Sequence, residues 1–128
     1  MSDNSATYDY AVLRVTPRVE RGEFINAGVI LFCRTKRFLA ARITLDRERL
    51  AVLAPPGFDV DVAAAALETI PAICAGAGPI GALPQADRFH WIVSPRSTVV
   101  QASPVHCGRC IDPQDALEHL LAVMVRRG

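Results

Sequence analysis

Along residues 8–16 apolar and polar side chains alternate, with Ala11, Leu13 and Val15 on one side and Tyr10, Val12 and Arg14 on the other, until Pro17 interrupts the pattern. This period of two predicts a strand. After the charged turn at 18–22, residues 23–33 are β-branched and aromatic on both faces, the pattern of a strand buried centrally. Residues 34–37 form a polar connection of hairpin length. Residues 38–45 then alternate again, with Leu39, Ala41, Ile43 and Leu45 on one side. The first third is thus predicted to be a three-stranded meander.

Pro55, Pro56 and Gly57 mark a break, after which Asp59 or Asp61 can cap a helix whose Val62, Ala66, Ile70 and Ile73 recur at helical spacing. Pro71 is expected to kink or end it. Residues 75–87 hold Gly76, Gly78, Pro79, Gly81 and Pro84, which predicts an exposed, mobile surface loop. Two short β-prone runs, 89–93 and 98–102, flank the turn formers at 94–97 and predict a second hairpin. Asp112 followed by Pro113 starts a last helix. Its Leu117, Leu120, Leu121 and Met124 form one stripe, with Arg126 and Arg127 at the negative end of its dipole.

The resulting order, βββ-α-ββ-α, predicts an α+β fold: a mainly antiparallel sheet of about five strands carrying two helices, since strands joined by short turns must run antiparallel. Residues 1–7 are expected to form a disordered tail and 8–128 a single domain.

Composition adds limits to this picture. With 51% hydrophobic and 21% charged residues and a mean hydropathy of +0.24, the chain has enough apolar material for a core. The net charge is +1 and Lys36 is the only lysine among 14 basic residues, which are spread along the chain; no nucleic-acid partner is expected. No apolar run approaches the roughly 18 residues of a membrane span and the first residues are polar and acidic, so a cytoplasmic location without membrane contact is expected. Cys33, Cys74, Cys107 and Cys110 are then expected as reduced thiols, the first two in the core.

Three constellations hold candidate chemistry. His106-Cys107-Gly108-Arg109-Cys110 contains a C-x-x-C spacing that suits zinc or a redox pair, but no second C-x-x-C completes four ligands and the context is not thioredoxin-like. Incidental thiols are the simpler reading, and neither a metal nor a cofactor is expected. Arg21, Gly22, Glu23 and Asn26 place a charged turn before an apolar strand. There Asn26 shares a face with Phe24, Gly28, Ile30 and Phe32 and must find hydrogen-bond partners, whether structural or in a ligand. Arg96, Ser97 and His106 could hold an anion near one sheet end, yet no nucleophile elbow surrounds Ser97 and no phosphate-cradling loop exists. His90 and His119 are read as structural or exposed.

The segments YAVLR at 10–14, RGEFINAGVILF at 21–32, FHWIVSPRSTVV at 89–100 and SPVH at 103–106 resemble the bacterial family catalogued as domain of unknown function 3037 (DUF3037). No activity or substrate comes with that resemblance. It implies a partner, because members often lie beside genes for kinases similar to the HipA type. The expected function is a non-enzymatic accessory or interaction module partnering such a HipA-like kinase. The alternative is a small enzyme or an anion- or nucleotide-binding protein, with a polar site at the strand ends built from Arg21, Glu23, Asn26, Arg96, Ser97 and His106.

Overall fold

The computed structural model of the chain describes residues 4–95 and 98–126. Its β1 (Ala6–Arg18) is long enough to present edges to three partners. A single 3-10 turn, Val19–Arg21, closed by Gly22 in the left-handed region (φ 69°), leads into β2 (Glu23–Cys33), which runs antiparallel along one edge of β1. β3 (Phe38–Ile43) pairs antiparallel outside β2. Two short strands share the other edge of β1: β4 (Val100–Ala102) opposite Leu13 to Val15, and β5 (His106–Cys110) opposite Ala6 to Tyr10. Between them Ser103 clamps Val12, its amide donating to the Val12 carbonyl at 2.8 Å and its hydroxyl accepting from the Val12 amide at 2.9 Å.

The helices cover this sheet on both sides. α1 (Arg47–Leu53) is capped by Asp46, α2 (Val60–Cys74) by Asp59, and α3 (Gly78–Gly81) and α4 (Gln85–Val93) follow. α1, α2 and α4 pack Leu50, Ala63, Leu67, Ile70, Phe89 and Ile92 against Leu13, Val15, Ile30, Phe32 and Leu39. On the other side α5 (Pro113–Leu121), capped by Asp112 and extended by a π-helical turn at Ala122–Arg126, sets Leu117, Leu120, Leu121 and Val125 on Val29, Leu31 and Cys33. The predicted leucine stripe is therefore a core stripe. Arg42 and Glu118 add an exposed ion pair between β3 and α5, of a kind that contributes at most about 1 kcal/mol.

The fold is α+β with a five-stranded antiparallel sheet, but its order is βββ-αααα-ββ-α and several elements differ from expectation. Residues 89–93 are not a strand. They are the second half of α4, because Phe89 and Ile92, three apart, reach the core together while His90 and Trp91 face outward. The predicted loop at 75–87 is exposed over most of its length, yet it contains α3 and the start of α4, and Arg88 ties it to the Cys74 and Leu83 carbonyls at 2.8 and 2.7 Å. The fifth strand is instead His106–Cys110, the C-x-x-C segment, for which no strand is predicted. β1 starts at Ala6, inside the expected tail, and continues past Pro17, which sits at a register irregularity where its missing amide is tolerated.

α2 also departs from the prediction. It runs through Pro71 to Cys74, and it buries Ala63, Leu67, Ile70 and Cys74, a stripe rotated by about one residue from the expected one. Val62 and Ala66 are consequently left at the surface. The stretch Val60–Gly81 is apolar enough to cross a membrane by length and composition, with a mean hydropathy of 1.5 in its best window, contrary to the expectation that no run comes near. In the fold it is α2 and α3 with a left-handed break at Gly76 between them, and its buried stripe belongs to the sheet-facing core.

Candidate functional site

A bulge decides where Asn26 goes. Leu13 pairs with Gly28 and Arg14 with Asn26, so Ala27 has no partner across β1; on the β3 side its carbonyl accepts from the Thr44 amide at 2.7 Å. The extra residue flips the alternation. Asn26 is turned to the α5 side, away from Ile30 and Phe32, and its Nδ2 donates to the Met124 carbonyl at 2.9 Å in the π-helical turn. Its Oδ1 is buried without a partner among the described residues, as is Nε of Arg14, whose guanidinium lies 4.1 Å over the Phe24 ring.

The other predicted residues stand elsewhere. Arg21 and Glu23 pair with each other at 2.9 Å on the exposed β1–β2 turn. His106 faces Tyr10, ring centroids 5.6 Å apart. Asn26 opposite Arg14 and His106 opposite Tyr10 are four β1 residues apart, which is about 13 Å along a strand. Arg96 and Ser97 lie outside the described residues. The four described members thus occupy separate stations along β1 rather than one cleft.

The C-x-x-C spacing is drawn into β5, where alternate residues point to opposite faces, so Cys107 and Cys110 are directed away from one another. Gly108 between them leaves room for the Tyr8 ring, whose hydroxyl would lie 2.5 Å from a Cβ placed there. Burial raises the Cys110 thiol above its ordinary value, and the neighbouring Cys33 thiol adds to the rise. Among the described residues no group of three or more His, Cys, Asp or Glu side chains could hold a metal ion.

Burial likewise pushes the Cys74 thiol up to about 12, against the opposing pull of the Arg88 guanidinium. Its ordinary value is 9.0, so between these values the unfolded chain releases a proton that the folded chain keeps. Stability present below pH 9 is then lost as pH rises, at up to about 1.4 kcal/mol per pH unit. In urea unfolding at about pH 8 and about pH 10, the wild type should lose about 1 kcal/mol more than Cys74→Ala. Equal losses would contradict the assignment.

The misplaced stripe of α2 opens onto a different feature. Phe58, Val62, Ala66 and Ile70 on the α2 side, Trp91 and Ile92 of α4, and Val99 beside β4 line a groove of about 450 Å³. Val62 is 63% exposed and Trp91 41%. Of the polar side chains among its described lining residues, Asp59 caps α2 through Oδ1, Thr69 donates to the Ala66 carbonyl at 2.6 Å, and Thr98 to the Val100 carbonyl at 2.7 Å. The described lining that remains is apolar. Two signals for it were present in the sequence, the single tryptophan and an apolar α2 that supports more than one stripe.

One family model, described as protein of unknown function (DUF3037), matches residues 10–125. No curated protein matches the chain, and no solved structure does.

Proposed function

We propose, from the premise that this chain belongs to the DUF3037 family, that it is a non-enzymatic interaction module whose α2–α4 groove receives apolar side chains of a cytoplasmic protein partner. The observation that carries the proposal is the groove itself, open and lined mainly by apolar side chains, with Asp59, Thr69 and Thr98 each bonded to backbone. Exposed apolar surface rimmed by polar residues is the usual mark of an interaction site. A kinase similar to the HipA type, which the family resemblance implies, is the partner to test first. The alternative of a polar catalytic or anion site made from Arg21, Glu23, Asn26, Arg96, Ser97 and His106 gains no support from the separate placement of its four described members.

Titration of the purified kinase with three versions of the chain tests this. Wild type should bind, and Val62→Asp should bind at least about tenfold more weakly, the loss of one contact worth about 1.4 kcal/mol. Val52→Asp, at an 89% exposed position of α1 outside the groove, should match wild type. Failure of the wild type to bind, or equal affinity for Val62→Asp, would overturn the proposal.

A further inference from the structure

A second pocket lies at the sheet end where β3 leaves for α1 and the last helical turn comes back. It encloses about 310 Å³ and is lined by Asn26, Asp46, Arg49 and Arg126 with Ile25, Thr44, Leu45 and Val125, a volume suited to one small molecule. We propose that it binds a small aliphatic zwitterion of the α-amino-acid type, with the carboxylate held by Arg49 and Arg126 and the ammonium received by Asp46 and Asn26.

Four observations favour that chemistry. Arg49 and Arg126 are exposed and stand outside the three ion pairs of the described residues, which use Arg21, Arg42 and Arg47. Two uncommitted guanidinium groups on one pocket suit a carboxylate. Asp46 accepts the Arg49 amide through Oδ1 only, which leaves its second oxygen for a donor. Asn26 lines the pocket, and its buried amide oxygen has no partner among the described residues, which leaves an acceptor in want of an N–H beside it. A bare anion would meet the Asp46 carboxylate, and a bare cation would meet two arginines, so a ligand bearing both charges is matched best. Ile25, Leu45 and Val125 supply the wall for an aliphatic side chain.

The test is a titration of the full chain, followed by NMR, with L-leucine, 4-methylpentanoate and 3-methylbutylamine, which carry both charges, the carboxylate alone and the ammonium alone. L-Leucine should saturate and bind about tenfold or more tighter than either analogue, because a site that pairs both groups rejects ligands lacking one. Arg49→Ala and Arg126→Ala, both at exposed positions, should each weaken L-leucine by about fivefold or more, whereas Arg47→Ala, whose partner is Asp61, should leave it unchanged. Absence of saturable leucine binding, equal binding of either analogue, or wild-type affinity in both pocket variants would overturn the proposal. The pocket is separate from the α2–α4 groove, so neither result bears on the kinase titration.

Discussion

Replacing Leu117 with alanine is expected to destabilise the protein by about 2–5 kcal/mol, the usual range for a core truncation that leaves a cavity. Leu117 is fully buried, and it shares the α5 side of the sheet with Leu120, Leu121 and Val125 against Val29, Leu31 and Cys33. This side has one helix, where the other has three packed on it, so neighbouring elements have little means of closing the gap. Against a total stability of about 5–15 kcal/mol the loss is large, and removal of α5 as a whole should unfold the chain. Urea unfolding of Leu117→Ala checks the first expectation. A change under about half a kcal/mol would mean that α5 is not docked in solution.

Gly28→Ala should be nearly as damaging although it adds a single methyl group. The new Cβ would stand 2.5 Å from the Arg42 carbonyl oxygen and 2.8 Å from Ile43 Cδ1, closer than Cβ atoms come to other atoms. The first of these neighbours is backbone of β3 and cannot rotate away. Relief requires β3 to move from β2 beside the bulge at Ala27, where the Thr44 amide is already bound to the Ala27 carbonyl. Overpacking of this kind costs about 1–3 kcal/mol, and a displaced register adds to it. A Gly28→Ala protein with wild-type unfolding midpoint and slope would show that the two strands are farther apart than described.

The parts of the fold that sequence revealed are those in which one period fits and a neighbour agrees with it. β1, β2 and β3 alternate or run apolar between clear turns, and α5 has a cap, a proline at its first position and one stripe. Residues 89–93 satisfy two periods at once: Phe89, Trp91 and Val93 suit a strand, while Phe89 and Ile92 suit a helix, and packing against Phe32 at 5.6 Å between rings selects the second. β5 has no strand propensity of its own. It is drawn out by the free edge of β1 and by Gly108, over which the Tyr8 ring fits. α1 went unread despite the Asp46 cap and the spacing of Leu50 and Leu53.

The candidate sites were less legible because each depends on a phase. One bulged residue, Ala27, moves Asn26 from the expected face to the other, and alternation cannot reveal such an insertion. In α2 every position from Val62 to Ala66 is apolar, so several stripes are possible and only the sheet chooses among them. The rejected stripe, with Val62 and Ala66, is what lines the groove.

Hydrogen exchange of the chain with and without the HipA-like kinase tests most directly whether a partner covers this groove. Slowed exchange is expected in α2, α4 and the segment around β4, with β5 and α5 unchanged. Slowing confined to β5 or α5, with the groove elements exchanging as they do in the free chain, would contradict it.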